Sequence, residues 1–319
     1  MPEIQTTISI PEELSGQRLD VVLAELMPDY SRSRLKQWLL EGLILLDGQP
    51  AKPKTKAYAE QLLALNVKAV DLDDECAPED IPLDIVYQDE SLIVINKPAG
   101  LVVHPAAGNR QGTLQNALLF YDSSLAEVPR AGIVHRLDKD TSGLMVVART
   151  LIAHKYLVDQ IQQREVHREY QTLVHGVMTG GGTVDQPIGR HSYDRVRMTV
   201  REDGRPSVTH YRVLDRFRGY THLHVELETG RTHQIRVHMQ HLRHAVVGDP
   251  VYEGRSRLPP GADESYIEQL KNFNRQALHA WRLSLHHPET GEFMQWQAPL
   301  PEDMANLLAA MKDDLERHG

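Results

Sequence analysis

The sequence lacks several features, and each absence excludes a class of protein. A single cysteine, Cys76, stands among 319 residues, which excludes a disulfide framework or a cysteine-rich zinc module and favours a reducing compartment. The N-terminal segment has no basic region followed by an apolar core, as a signal peptide would. No apolar run approaches the roughly 18 residues that span a bilayer. We therefore expect a soluble, cytoplasmic protein without a membrane partner.

Charge is unevenly distributed along the chain. The formal net charge of −9 argues against a nucleic-acid partner, but residues 71–90 hold nine acidic residues and no lysine or arginine, so the remaining chain is balanced. Residues 186–244 carry eleven arginines, no lysine and six acidic residues, a net charge of +5. Arginine in place of lysine favours planar, bidentate contacts with phosphates and bases. Solvated strand faces are the alternative interpretation.

Residues 16–68 are typical of a small helix–helix–hairpin module. Apolar residues recur with helical spacing at positions 19, 22, 23 and 26. Ser31 is placed to cap a second helix that ends at Gly42. Asp47-Gly48 lies between two short apolar runs, which is a strong hairpin signal.

The residues of the second helix in this module indicate a basic surface. Its apolar residues Leu35, Trp38 and Leu39 are expected to face inward. The basic residues expected to project together and bind RNA are Arg32, Arg34 and Lys36. The module holds eight basic and six acidic residues. A generic capping module is the alternative to an RNA-binding one.

The rest of the chain predicts an α+β fold. The acidic segment 71–84 contains two prolines and is typical of a linker. Helices are predicted at 151–165 and 301–318, and a surface loop at 253–264. Runs rich in β-branched and aromatic residues predict strands within 85–105, 168–177, 207–217, 220–230, 279–288 and 292–299. Many strands and few helices, without regular alternation, indicate a mostly antiparallel mixed sheet.

Several chemistries can be weighed from the polar stretches of the larger region. A kinase is excluded because Leu137 follows His135-Arg136 where the catalytic aspartate would stand, and neither a glycine-rich phosphate loop nor Asp-Phe-Gly occurs. A serine hydrolase is disfavoured because Ser142 has no glycine two residues before it. A glycosidase needs two carboxylates across the bond. Asp138 and Asp140 would share a face on an extended segment and diverge in a turn, so this pair stays open.

Three histidines at three-residue spacing suggest zinc. They are His238, His241 and His244. No cysteine or carboxylate nearby completes a tetrahedral set. We therefore interpret them as surface or RNA-facing histidines and predict no metal site.

Four motifs in order carry a family resemblance. They are NKPAGLVVHP at 96–105, GIVHRLDKDTSGLMVVART at 132–150, REY at 168–170, and LETGRTHQIRVHM with GDPVY at 227–252. Together they resemble the RluA-type family of RNA pseudouridine synthases across residues 80–300, and residues 16–68 resemble the S4 RNA-binding domain. The resemblance implies an S4-like domain at 1–75, an acidic linker and entry segment at 76–90, and a pseudouridine synthase domain at 91–319.

The resemblance also implies an activity. Such an isomerase breaks the bond between ribose C1′ and uracil N1, rotates the base and joins C1′ to C5, and it needs no cofactor. The implied partner is large-subunit ribosomal RNA or the assembling large subunit, with several uridines of the helix 69 loop as targets. A monomer is expected, since no dimerisation signature is present. A catalytically silent RNA-binding or ribosome-assembly factor, and a nucleosidase that releases uracil, are the alternatives.

The resemblance assigns roles to particular residues. Asp138 would be the catalytic aspartate, either attacking C1′ or supporting an elimination, and Asp140 would shape the turn. Arg236 would hold the Asp138 carboxylate with a bidentate fork. Tyr170 would pack on the base and assist removal of the C5 proton, and Arg136 would hold the space that a flipped uridine vacates. The substrate-binding residues implied are Arg136, Tyr170, Arg231, Ile235 and Arg236.

Overall fold

The chain forms two compact units, Met1–Glu75 and Cys76–Gly319. The structure is a computed structural model that describes residues 3–27, 32–68, 76–105, 109–194, 196–253 and 258–318, with the backbone alone for 3–5, 32–34 and 66–68. Within these ranges, every helix is too short or too polar to cross a membrane.

The smaller unit packs two helices on a small antiparallel sheet. Its elements are β1 (Glu3–Ser9), α1 (Leu19–Leu26), α2 (Arg32–Leu40), β2 (Ile44–Leu46), β3 (Gln49–Pro50) and β4 (Leu62–Lys68). The strand order is β1-β4-β2-β3. Asp47 and Gly48 both have positive φ, 50° and 74°, as a two-residue hairpin turn requires. The two helices and the hairpin lie where the sequence predicts them.

The predicted basic surface of α2 is described only in part. Leu35, Trp38 and Leu39 are buried as expected. Lys36 is exposed. The backbones of Arg32 and Arg34 belong to α2, but their side chains lie outside the described residues, as does the predicted cap Ser31.

The larger unit is built on one extended sheet. Its elements are β5 (Ile85–Gln88), β6 (Leu92–Lys97), α3 (Leu114–Tyr121), β7 (Ser142–Ala148), α4 (Leu151–Gln163), β8 (His167–His175), β9 (Gly182–Asp185), β10 (Ile188–Arg190), β11 (Met198–Val200), β12 (Val208–Phe217), β13 (Tyr220–Leu227), α5 (Gln234–His241), α6 (Glu264–Asn272), β14 (Leu278–His286), β15 (Phe293–Gln297) and α7 (Glu302–His318). The strand order is β5-β6-β7-β14-β8-β13-β12-β9, with β15 also paired to β14 and β10 paired to β11 in a separate ribbon. β7 and β14 run parallel, and the other described pairs are antiparallel. The predicted α+β fold with a mostly antiparallel mixed sheet is confirmed.

Apolar clusters cover both faces of this sheet at β7. Met145 and Val147 belong to the cluster that includes α3 and α7, whereas Leu144 and Val146 belong to the cluster that includes α4. Successive side chains of a strand point to opposite faces, so a strand covered on both sides needs an unbroken apolar run. This explains why β7 is apolar throughout and why polar residues appear only at its beginning.

Some elements differ from the sequence-based expectation. The run 101–104 was expected to be a strand, but it forms only an isolated bridge, between Val102 and Thr113. The carbonyl of Leu101 instead accepts a hydrogen bond from Lys97 Nζ. Helices α3, α5 and α6 were not predicted.

Candidate active site

A cavity of about 600 Å³ opens in the larger unit. It lies where the turn before β7, the first half of β8 and the segment between β13 and α5 meet. Every site residue predicted within the larger unit lines this cavity, namely Arg136, Asp138, Tyr170, Arg231, Ile235 and Arg236. The structure therefore brings together residues that are up to a hundred positions apart in the sequence.

A network of backbone contacts fixes the turn that carries Asp138. The amide of Thr141 donates to the Asp138 carbonyl at 3.1 Å. The next carbonyl, of Lys139, accepts from the Gly100 amide and from Lys97 Nζ, both at 2.9 Å. Lys97 is buried and donates to two further carbonyls of the same loop as Gly100. Three acceptors match the three donors of an ammonium group, so Lys97 holds the loop and the turn together.

Gly143 allows the turn to enter the sheet. Its φ is +116°, and a Cβ there would lie 2.2 Å from the carbonyl oxygen of Ala280, its parallel partner on β14. Glycine adopts this φ without strain and has no Cβ to clash with the carbonyl. The start of β7, and with it Asp138, is thus fixed against β14.

Arg236 joins two carboxylates in a buried cluster. Its Nη1 donates to Asp138 Oδ2 at 2.9 Å, while its Nε and Nη2 donate to the two oxygens of Asp249 at 2.7 and 2.8 Å. The bidentate fork expected for Asp138 therefore binds Asp249, and Asp138 receives a single bond. Burial acts to lower the pKa of Arg236, but hydrogen bonds and charge attraction from Asp249, with a smaller part from Asp138, raise it above its usual value. Arg236 is a permanent cation.

Asp249 is a site residue that the sequence reasoning missed. Its side chain is fully buried, and one of its oxygens also accepts from the amides of Val251 and Tyr252. The GDPVY motif was noted at these positions, but a lone aspartate between glycine and proline is equally typical of a turn. A buried arginine needs a carboxylate partner, but Asp138 already met that requirement in the sequence analysis, so no second aspartate was predicted.

Asp138 presents one oxygen to the cavity. Its side chain keeps 17% of its surface exposed. Oδ2 is occupied by Arg236, and among the described residues no hydrogen-bond donor reaches Oδ1. His233 Nε2 lies 4.0 Å from Oδ1. One oxygen is thus held while the other stays available to a ligand.

His233 is the N-cap residue of α5 and has a left-handed backbone, φ 57°. Its Nδ1 lies 2.8 Å from the hydroxyl oxygen of Tyr252, which itself accepts from the Met198 amide. The other ring nitrogen, Nε2, is the atom that faces Asp138. Burial lowers the pKa of His233, although the Asp138 charge opposes this. A neutral ring at pH 7 follows.

Tyr170 forms a buried wall of the cavity. It is 5% exposed, and no described residue hydrogen-bonds to its hydroxyl. Burial raises the pKa of Tyr170, with Asp138 acting in the same direction and Arg168 against it. The hydroxyl is therefore protonated near neutral pH. Ile235 is buried beside it in the same wall.

The cavity is strongly basic for a chain with net negative charge. Among the residues that the structure describes, its lining includes six arginines and two carboxylates, Asp138 and Glu228. Arg136 is exposed, and Arg231 is half-buried with its Nε donating to the Pro206 carbonyl at 3.3 Å. Such a lining favours a polyanionic ligand.

The other polar candidates have structural surroundings. Asp140 does not line the cavity, so the pair with Asp138 does not face one bond. His238, interpreted as a surface or RNA-facing residue, is buried and bonds through both ring nitrogens, to Thr209 Oγ1 and the Gln186 carbonyl; that interpretation was wrong because α5 packs this side against β12. His241 is exposed. Within the described ranges no group of three or more ligating side chains could hold a metal ion.

Comparison with known proteins gives consistent matches. The family model described as RNA pseudouridylate synthase matches residues 91–241, and the S4 domain model matches residues 17–58. Ribosomal large subunit pseudouridine synthase D of Escherichia coli O6:H1 is 54% identical over 316 residues, which cover 99% of this chain and 97% of the relative. The protein of the same name from Xanthomonas campestris pv. campestris is 53% identical over 308 residues, 97% of this chain and 93% of the relative.

Solved structures agree with these matches. Human RNA Pseudouridylate Synthase Domain Containing 4 aligns with a TM-score of 0.55 at 25% identity, over 72% of this chain and 93% of that one. Human RNA Pseudouridylate Synthase Domain Containing 1 aligns with a TM-score of 0.53 at 25% identity, over 73% and 96%. The resemblance inferred from the four motifs is confirmed: the chain belongs to the RluA-type RNA pseudouridine synthase family and carries an S4 domain in its N-terminal part.

Proposed function

We propose that this enzyme isomerises uridine to pseudouridine in 23S (large-subunit) ribosomal RNA, at several uridines in the loop of helix 69. Relatives that share more than half of its residues are named ribosomal large subunit pseudouridine synthase D, and the S4 model matches its smaller unit. The observation that carries the proposal is the Asp138 carboxylate, which has one oxygen held by Arg236 and the other open to a basic cavity.

The cavity suits a nucleotide taken out of its stack. Extruding a base costs a few kcal/mol, and contacts with the RNA backbone must offset that cost. The arginine-rich lining provides such contacts. Arg136 is exposed two residues from Asp138, so its side chain can occupy the space that the uridine leaves. Arg231, at the other rim, would contact the backbone beside it.

Asp138 Oδ1 is the atom we assign to the reaction. As the C1′–N1 bond breaks, positive charge develops on the ribose, and a carboxylate oxygen can bond to C1′ or stabilise the loss of a ribose proton. Both routes need the ionised carboxylate, which the Arg236 cation stabilises in a site that burial would otherwise make unfavourable for charge. The uracil then rotates, its C5 bonds to C1′, C5 loses a proton, and N1, no longer bonded to ribose, gains one. Atoms balance without a cofactor.

Tyr170 would act through its ring and a protonated hydroxyl. The ring offers an apolar surface on which the uracil can pack. Because burial raises its pKa, the hydroxyl suits hydrogen-bond donation to the base better than removal of the C5 proton. Ile235 would complete the apolar wall beside the ring.

The domain roles complete the proposal. Residues 1–75, with Arg32, Arg34 and Lys36 on α2, would bind ribosomal RNA, and residues 91–319 would carry the reaction, with 76–90 as the entry segment. The enzyme would act in the cytoplasm as a monomer, on free large-subunit RNA or on the assembling subunit.

A tritium-release assay tests this function. Large-subunit RNA carrying uridine tritiated at C5 is incubated with the enzyme, because only bond formation at C5 releases the label. We expect tritium release, unchanged RNA mass and pseudouridine within the helix 69 loop. Release of free uracil would show a nucleosidase, and binding without either product would show a silent RNA-binding factor; either result contradicts the proposal.

A further inference from the structure

Arg168 is a buried arginine without an acceptor. It lies on β8 two residues before Tyr170, on the same face of the strand, and lines the cavity. Only 8% of the residue is exposed. No described residue accepts a hydrogen bond from its guanidinium, and its Nε is covered without a partner. Arg236, the other buried arginine of the cavity, donates to two carboxylates.

Unmet donors in a buried guanidinium are costly. Burying a polar group without a hydrogen bond opposes folding, and a charged group more so. Asp138 lines the same cavity but accepts no hydrogen bond from Arg168. A residue kept at such a cost, facing a cavity, is expected to meet its acceptor in a ligand.

Gly230 makes room for this side chain. A Cβ at residue 230 would lie 2.7 Å from Arg168 Nη1. Gly230 does not have a positive φ, so a glycine is not required there by the backbone. The space is required by the guanidinium, which the segment between β13 and α5 keeps at the cavity wall.

The geometry of the donor selects the kind of acceptor. A guanidinium presents parallel N–H groups that match two oxygens of one phosphate, whereas a uracil carbonyl offers a single oxygen. Arg168 is also one strand repeat, about 6.6 Å, from Tyr170, so a base packed on Tyr170 lies beside the guanidinium. The part of a nucleotide that lies beside its base, and is anionic, is the phosphodiester.

We infer that Arg168 binds a phosphodiester group adjoining the uridine in the cavity, and thereby positions that nucleotide over Asp138. This inference rests on the proposed function for the identity of the nucleotide. Arg168 contacts substrate but no reacting atom, so its contribution is to binding and orientation. It is distinct from the Arg236 contribution, which acts on the carboxylate itself.

Paired changes in protein and RNA test the inference. Helix 69 stem-loops are made with one neutral methylphosphonate, either 5′ or 3′ of the target uridine. Their affinity and tritium release are measured with the wild type, Arg168→Gln, Arg168→Lys and a control, Arg212→Gln. Arg212 is exposed on β12 and does not line the cavity.

If Arg168 contacts a phosphate, the effect of changing Arg168 should depend on whether one particular phosphate of the RNA is charged. The wild type should bind one of the two methylphosphonate RNAs about 10–100-fold more weakly than normal RNA, the range of a charge-assisted hydrogen bond. Arg168→Gln should show that loss already with normal RNA and no further loss with the same methylphosphonate, and Arg168→Lys should recover part of it. Arg212→Gln should behave as the wild type.

Stability separates this role from a structural one. Because Arg168 lacks a protein acceptor, Arg168→Gln should unfold at the wild-type temperature or above it. The inference would be overturned if Arg168→Gln and each methylphosphonate weakened RNA binding independently, so that their effects multiply at both positions. It would also be overturned if Arg168→Gln unfolded well below the wild-type temperature. If binding shows the coupling but the wild type releases no tritium, the inference about Arg168 holds and the proposed function is contradicted. If the wild type releases tritium but binding shows no coupling, the proposed function holds and the inference is contradicted.

Discussion

Asp249→Asn should destabilise the larger unit although Asp249 does not line the cavity. The change removes the charge that faces Arg236 Nε and Nη2 and replaces one acceptor oxygen by an amide donor. Arg236, 4% exposed, would keep only its single bond to Asp138. Asparagine can still accept from the amides of Val251 and Tyr252, so the local turn need not be lost.

The expected magnitude follows from this geometry. Removing one partner of a buried ion pair costs about 3–5 kcal/mol. Because the asparagine retains some acceptors, we expect the lower end, about 3 kcal/mol. For a unit of the size of Cys76–Gly319, each kcal/mol lowers the midpoint by about 2–4 °C. The thermal midpoint should fall by about 6–12 °C.

Scanning calorimetry of the full chain measures this change. Asp263→Asn is the matched control, since Asp263 pairs with Arg317 at 2.8 Å but both side chains are exposed. Exposed pairs contribute about 0–1 kcal/mol, so the control should shift the midpoint by at most a few degrees. If both variants unfold at the same temperature, Asp249 does not hold Arg236 and the reasoning fails.

Three further predictions concern the core and the cavity. Gly143→Ala should lower the free energy of unfolding in urea by more than about 2 kcal/mol, because the new Cβ meets the Ala280 carbonyl. Burial lowers the pKa of His135 to about 3, whereas the unfolded chain binds this proton from about pH 6.5 downwards. The neutral His135 side chain therefore contributes fully to stability above pH 6.5. As the pH falls from 6.5 towards 3, the free energy of unfolding decreases by up to about 1.4 kcal/mol per pH unit. In His135→Gln, which can still accept from the Val146 amide, urea unfolding should depend less on pH between 6.5 and 4.5. Tyr170→Phe should keep its melting temperature and lose about 10–100-fold in tritium release, since only a hydroxyl that meets substrate is removed.

Each of these has a matched control and a contradicting result. Gly291→Ala, also at positive φ but in open space, should cost less than Gly143→Ala; equal costs would mean that the close approach is unimportant. His241→Gln, at an exposed position, should leave the pH dependence intact, and the same slope in His135→Gln would contradict its burial in the neutral form. Tyr193→Phe, at an exposed tyrosine, should be silent, and full activity of Tyr170→Phe would remove the hydroxyl from the account.

Periodic patterns predicted the regular elements of this chain well. The α1 stripe, the Asp47-Gly48 hairpin and the long strands β8, β12, β13 and β14 follow directly from apolar spacing and turn residues. Helices α3, α5 and α6 were not predicted, although α1 and α2 are as short. The difference is that an apolar stripe predicted α1, and a capping serine with a terminal glycine predicted α2. The α3 helix is stabilised mainly by its Thr113–Asn116 capping box and by packing, which local apolar spacing does not reveal.

The sequence predicted several residues of the candidate site but not how they pair. Motif resemblance supplied Asp138, Tyr170 and Arg236, which the cavity brings together. It did not reveal that the Arg236 fork belongs to Asp249, because hydrogen-bond pairing depends on how α5 and the GDPVY turn pack in three dimensions. The role of Arg168 was not predicted for the same reason. That its guanidinium lacks a hydrogen-bond acceptor can be recognised only from the three-dimensional positions of its neighbours.

The central claim is that the Asp138 carboxylate carries the reaction. The most direct test is a single-turnover tritium-release measurement on the helix 69 stem-loop with Asp138→Asn, which keeps the shape of the side chain and an oxygen for Arg236. We predict RNA affinity close to that of the wild type and no release of label above background. Release at a rate comparable to the wild type would contradict the account.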